Sequence, residues 1–267
     1  MPGSESANTT SSALRVLLVE DNAVNQKVVL RQLEQLGYNA DLAANGLEAL
    51  EALSKIEYDV VLMDCQMPEM DGYEATREIR RREGRSRRTT IIAMTDNAAR
   101  SNRDLCIRAG MDDYLNKPAR QEDLAAMLAH WTEAARGISA KADRAGDECD
   151  LTRVIDQGAL DGLRSLTSAT RPNFLMELID LFIEDSPAKI ARMREALARA
   201  DAVALASAAH ALKSSSANLG ARRMHALCEL IEERSSQSSL RGAATLLAAL
   251  EEEFARVRRA LEVEKKK

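Results

Sequence analysis

Residues 14–22 read LRVLLVEDN: a short apolar run closed by two acids and an asparagine. A run of that length, rich in branched residues and ending abruptly in polar side chains, has the signature of a buried parallel strand. Three more runs end the same way. YDVVLM (58–63) precedes Asp64, TTIIAM (89–94) precedes Thr95, and DDYLN (112–116) precedes Lys117-Pro118. Between these runs, and around a fifth strand at YNADLAA (38–44), lie segments with helical spacing: 24–36, 46–56, the stretch after Gly72, 98–109 and 121–135. Five successive β/α units with right-handed crossovers place helices on both faces of one parallel sheet. The expected fold is an α/β, flavodoxin-like (βα)5 doubly wound sheet over residues 14–136.

In an open sheet of this kind the carboxyl ends of the strands meet at one crevice. Glu20, Asp21, Asp64, Thr95 and Lys117 are therefore expected to share a pocket. Three crowded carboxylates repel one another, and a divalent cation relieves that repulsion. Mg²⁺ takes oxygen ligands and is commonly held by one or two carboxylates together with a phosphate. A carboxylate can also be the nucleophile that accepts a phosphoryl group, while an ammonium and a hydroxyl neutralise charge on its oxygens. One acid at a strand end is commonly just a helix cap. Five polar groups in register with five β/α units point to a site.

The remainder of the chain reads differently. Residues 1–13 are rich in Ser, Thr and Asn and are expected to be disordered, and 137–150, GISAKADRAGDECD, lacks a sustained apolar period and reads as a linker. From 151 to 264 the spacing is helical throughout, with segments at 151–166, 173–185, 188–200, 202–219, 221–233 and 240–264. This predicts an all-α antiparallel helical bundle. In the segment from Asp201 to Ala221, Leu205, Ala208, Leu212 and Leu219 form one stripe and His210 lies nearly opposite it. His210 is expected to be exposed, framed by small residues and by Lys213 and Ser214.

The motifs VEDN (19–22), LMDCQMPEMDG (62–72), AMT (93–95) and YLNKP (114–118) resemble the receiver domain of two-component response regulators. The stretch HALKSSSANLG (210–220) resembles the histidine phosphotransfer domain, with Ser214 where many members have Gly, and that resemblance implies a four-helix bundle. The resemblance implies Asp64 as phosphoacceptor and Mg²⁺ organised by Glu20, Asp21, Asp64 and the backbone carbonyl of Gln66. It further implies a switch pair of Thr95 and Tyr114, a phosphoryl contact from Lys117, and His210 as a second phosphoacceptor supported by Lys213 and Ser214. The implied function is phosphorelay signalling, with a sensor or hybrid histidine kinase upstream and a response regulator receiver domain downstream. The arrangement is similar to the C-terminal half of a tripartite hybrid kinase, here expected as an independent product. Direct transfer between Asp64 and His210, and a receiver that only gates access to His210, both fit. So does transfer to a partner's receiver.

Composition narrows the rest. The 267 residues carry a formal net charge of -5, against a nucleic-acid protein. No Gly-rich ATP-binding set is visible, so a phosphotransfer protein rather than a kinase is expected. No apolar run approaches a membrane span and no signal pattern opens the chain, so a cytoplasmic location is expected. Cys65, Cys106, Cys149 and Cys228 have no metal spacing and read as incidental thiols, and His130 and His225 read as ordinary surface or packing residues. The basic run RRREGRSRR (80–88) reads as a solvated helix end, with docking of an acidic partner as the alternative. The rival functions are a pure interaction scaffold and a transcriptional regulator, and the latter lacks a basic recognition helix.

Overall fold

The computed structural model describes residues 14–83, 88–96, 100–134, 154–168, 170–236, 240 and 242–266. The expected disordered N-terminus and the 137–150 linker lie outside these residues, as does Cys149.

The first domain alternates strand and helix: β1 (Val16–Val19), α1 (Ala23–Gln35), β2 (Ala40–Ala43), α2 (Gly46–Lys55), β3 (Val60–Asp64), α3 (Gly72–Glu83), β4 (Thr90–Thr95), α4 (Arg100–Ala109), β5 (Asp113–Asn116) and α5 (Gln121–Ala134). The strands form one sheet in the order β2-β1-β3-β4-β5, and every pair is parallel. The doubly wound arrangement expected from LRVLLV and its companions is therefore the fold. Strand side chains alternate between two cores, as the two-residue period requires. Leu17, Val19, Val61, Met63, Ile91 and Ala93 pack with α2, α3 and α4. Val16, Leu18, Val60, Leu62, Ile92 and Met94 pack with Val29 and Leu33 of α1 and with Leu124 and Leu128 of α5.

The second domain holds α6 (Gln157–Ser165), α7 (Phe174–Ala198), α8 (Ala202–Asn218), α9 (Arg222–Ser236) and α10 (Ala243–Glu264). Four long helices pack around Phe182, Met193, Leu212, Met224, Ile231, Leu250 and Val257. Helix α6 starts at the cap Asp156, whose side chain accepts from the Gly158 N–H, later than the expected 151. The expected helices 173–185 and 188–200 are one. Pro187 sits inside α7 and interrupts its ladder, at a cost of about 3 kcal/mol in a helix interior. The helix continues because Phe182 and Ser186 before Pro187, and Ile190 and Met193 after it, stay buried on one face. Pro187 itself faces solvent. Ser186 Oγ donates to the Phe182 carbonyl at 2.6 Å.

Helix α1 belongs to both domains. Val29 and Leu33 face the sheet, whereas Val24 and Val28 are buried in the cluster of the bundle. Arg31 Nε donates to the Leu166 carbonyl at 2.7 Å and Gln35 Nε2 to the Ser165 carbonyl at 3.1 Å, extending the contact to the end of α6.

Candidate functional site between the sheet and the bundle

Each strand-end residue owes its position to the sheet. β1 delivers Glu20 and Asp21, β3 ends on Asp64, β4 ends on Thr95 and β5 leads into Lys117. Gly72 opens α3 against the backbone of Asp64. A Cβ there would lie 2.0 Å from the Asp64 carbonyl oxygen, so only glycine permits the approach. The loop it closes brings the Gln66 N–H to within 3.2 Å of Asp64 Oδ1.

Glu20 and Asp64 are almost fully buried, and Lys117 Nζ lies between them, 2.6 Å from Glu20 Oε2 and 2.7 Å from Asp64 Oδ2. Burial pushes the Asp64 carboxyl up to about 7; Lys117 opposes that shift and the charge of Glu20 adds to it. Asp21 is raised by burial and then by Glu20. Burial acts to lower the Lys117 ammonium, but Asp64 and Glu20 outweigh it and the net shift is upward. One carboxylate oxygen each from Glu20, Asp21 and Asp64 lie within 4.8 Å of one another. A crowded all-oxygen set, in which burial favours the neutral form of Asp21 and Asp64 despite Lys117, fits a small hard divalent cation. Thr95 is buried at the end of β4, and Tyr114 is half-buried against the core of α2, α3 and α4.

The structure differs from the sequence expectation at His210. The side chain points away from the core of the bundle, yet it is only 12% exposed. The first domain covers it. Lys213 and Ser214, expected on an open face, are buried for the same reason, while Val203 of α8 stays 81% exposed. His210 Nδ1 lies 3.0 Å from Glu232 Oε1 of α9, and Nε2 lies 3.4 Å from Asp96 Oδ2. Lys213 Nζ reaches Glu232 Oε2 at 2.5 Å and Asp96 Oδ2 at 3.4 Å. Burial acts to lower the imidazole, but the hydrogen bond to Glu232 and the charges of Asp96, Glu232 and Asp64 outweigh it, so the net shift is upward. Asp64, Gln66, Thr95, Asp96, His210, Lys213 and Glu232 line one cavity of about 470 Å³.

Asp96, Glu232 and three asparagines were missed by sequence reasoning. Asn22 caps α1 by accepting from the Val24 and Asn25 N–H groups, and its Nδ2 donates to the Ala211 carbonyl at 2.5 Å. Asn218 Nδ2 donates to Asn25 Oδ1 at 2.7 Å. Asp96 carried a usable signal, since it follows Thr95 at a strand end and obeys the rule that found the other five. Glu232 carried a fainter one: it lies one turn beyond the buried Cys228, beside the core stripe of α9.

Arg80 pairs with Glu83 and Asp112, Arg81 and Arg82 with Glu78, and Arg88 with Asp112, so each of these arginines has a carboxylate partner within its own domain; 84–87 lie outside the described residues. His130 packs edge-on to Trp131, and His225 Nδ1 lies 3.3 Å from the Lys213 carbonyl. Cys65, Cys106 and Cys228 are buried free thiols.

Comparison with known proteins accords with both halves. Residues 16–129 match the response regulator receiver domain, and residues 177–260 match the Hpt domain. The chain carries a receiver domain followed by an Hpt domain. Relatives include the sensor histidine kinase GacS of Pseudomonas protegens, 31% identical over 91% of this chain and 27% of its own length. The signal transduction histidine-protein kinase BarA of Escherichia coli is 29% identical over 83% of this chain and 24% of its own length. The chain thus spans about a quarter of each. The receiver domain of sensor histidine kinase PA1611 from Pseudomonas aeruginosa, crystallised with magnesium in its active-site cleft, is 46% identical. The match covers 46% of this chain and 99% of that one, with a TM-score of 0.43. A receiver joined to an Hpt domain indicates phosphorelay signalling. Among the described residues, no helix is long and apolar enough to cross a membrane.

Proposed function

We propose that this chain is a two-station phosphorelay protein in which Asp64 and His210 exchange a phosphoryl group across the cavity they both line. The observation that carries this reading is the orientation of His210. Glu232 engages Nδ1, which leaves Nε2 directed at the receiver and at the cavity that holds Asp64. In the transfer an Asp64 oxygen bonds to phosphorus as the bond from phosphorus to Nε2 breaks, and the electron pair returns to the imidazole; the reverse step exchanges these roles. Glu232 holds the tautomer and balances positive charge on the ring. Lys117 and Thr95 stand at the receiver side to neutralise phosphoryl oxygens, and Lys213 with Ser214 at the Hpt side. Thr95 and Tyr114 act as the pair that reports phosphorylation to the surface of the receiver.

Glu20, Asp21, Asp64 and the Gln66 carbonyl would hold Mg²⁺, which when bound would supply positive charge favouring the ionised acceptor and the phosphoryl group. A sensor or hybrid histidine kinase provides the phosphoryl group, and a response regulator receiver domain takes it onward. The chain itself acts as carrier in the cytoplasm rather than as kinase.

The test is the concentration dependence of the His210 label after Asp64 is charged by an acyl phosphate donor with Mg²⁺. Transfer within one chain gives a first-order rate independent of protein concentration; a rate proportional to concentration contradicts it. The burial of His210 favours a second reading, in which phosphorylation of Asp64 opens access to His210 without passing its phosphoryl group across. That reading predicts no loss of acyl phosphate as the His210 label grows.

A further inference from the structure

We propose that Asp96 is a docking residue that selects the unphosphorylated Hpt domain of its own chain, and that a phosphoryl group in the cavity displaces it. The inference rests on the relay reading and adds to it a partner-selecting contact outside the phosphoacceptor set. Asp96 follows Thr95 at the end of β4, so the sheet fixes its backbone at the mouth of the crevice. Its side chain is 8% exposed and meets three groups of α8 at once. Oδ2 is 3.4 Å from both His210 Nε2 and Lys213 Nζ, and Ser214 Oγ lies 3.2 Å from Oδ1 and 3.1 Å from Oδ2.

The chemistry of those contacts makes them conditional. An imidazole, an ammonium and a hydroxyl one turn apart on a helix form a ready anion site, and in the unphosphorylated pair Asp96 fills it. A phosphoryl group on His210, or one bridging from Asp64, brings two negative charges to the same donors. Three phosphoryl oxygens then compete with one carboxylate for Lys213 and Ser214, and like charge repels Asp96 from its seat. Asp96 therefore stabilises the docked pair only while the site is empty of phosphate. It also gives the receiver a preference for an Hpt surface that presents a cation and a hydroxyl three and four residues after its histidine. The Hpt domain seated on it has both. The neighbouring contacts of Asn22 with Ala211 and Asn25 with Asn218 carry no charge, so phosphorylation leaves them without an equivalent reason to break.

Carbethoxylation of His210 by diethyl pyrocarbonate, followed by mass spectrometry in the full chain at pH 8, tests this. His130 and His225 serve as internal references for reagent exposure. In the wild type without phosphodonor, His210 should react slowly. Asp96→Ala should raise its rate about tenfold, the scale of losing charge-assisted bonds, and Asp96→Asn should raise it less. Ser214→Ala removes a donor from the other side, so it should raise the rate modestly even if the Asp96 variants misfold. Beryllium fluoride with Mg²⁺, a phosphoryl mimic at Asp64, should raise the wild-type rate as Asp96→Ala does. His210 reacting at the wild-type rate in both the Asp96→Ala and Ser214→Ala chains overturns the docking role. No effect of the mimic overturns the displacement. Labelling of Asp64 and His210 is a separate readout that bears on the relay alone, so either can fail without the other.

Discussion

The Nδ1 of His210 lies 3.0 Å from the Oε1 of Glu232, 22 positions away on the next helix of the bundle. That single contact decides which ring nitrogen faces the receiver. Glu232 also holds Lys213, whose ammonium donates to its other carboxylate oxygen, Oε2. Hydrogen bonds to charged groups contribute about 1.5–3 kcal/mol. Glu232→Ala should therefore slow phosphoryl arrival at His210 by about tenfold or more. Glu232→Gln keeps an acceptor for Nδ1–H and should recover part of the rate. Quench-flow measurement of the His210 label in the three chains checks the order.

The upward shift of His210 makes stability depend on pH. Its proton is held more tightly in the folded protein than in the unfolded chain, because burial is outweighed by the hydrogen bond to Glu232 and the charges of Asp96, Glu232 and Asp64. The resulting stability is fully present below the ordinary imidazole pKa of about 6.5. It is lost as pH rises through the higher folded value. Urea denaturation across that window should show wild-type stability falling with rising pH, and His210→Gln should flatten this component of the slope. An unchanged slope in His210→Gln would count against the charge arrangement.

Lys117 is the buried counter-charge of two buried acids. Lys117→Met leaves Glu20 and Asp64 facing each other without it. Removing one partner of a buried ion pair costs about 3–5 kcal/mol. The variant should lose about that much stability in chelator, and millimolar Mg²⁺ should restore more of it than it adds to the wild type. Denaturation midpoints with and without Mg²⁺ provide the comparison.

Val28 probes the interface separately from either core. Its neighbours Val29 and Leu33 pack on the sheet, but Val28 itself is buried with the bundle. Full burial of such a side chain contributes about 1.5–3 kcal/mol. Val28→Asp should therefore undock the two domains while each keeps its helices. Small-angle scattering should show a larger radius of gyration, with far-ultraviolet circular dichroism unchanged.

What the sequence disclosed depended on how local its cause was. LRVLLV, YDVVLM and TTIIAM announce buried strands by composition alone, and parallel-sheet topology then brings Glu20, Asp21, Asp64, Thr95 and Lys117 to one end. His210 was legible as the residue opposite the stripe of Leu205, Ala208, Leu212 and Leu219, all of them buried. Pro187 misled, since local propensity says break and the apolar face of α7 overrides it. The covering of His210 was not legible. It depends on Val24 and Val28 finding the bundle and on Asp96 meeting Lys213, contacts between residues more than 100 positions apart. Nothing in the spacing of either segment encodes them.

The central claim is that Asp64 and His210 are both phosphoryl stations. Charging the chain with a radiolabelled phosphodonor and Mg²⁺, then splitting each sample between acid and alkali, tests it most directly, because phosphohistidine survives alkali and an acyl phosphate does not. The alkali-labile label should vanish in Asp64→Asn and the alkali-stable label in His210→Gln. Either label persisting in the double variant, or neither residue labelling in the wild type, would contradict the account.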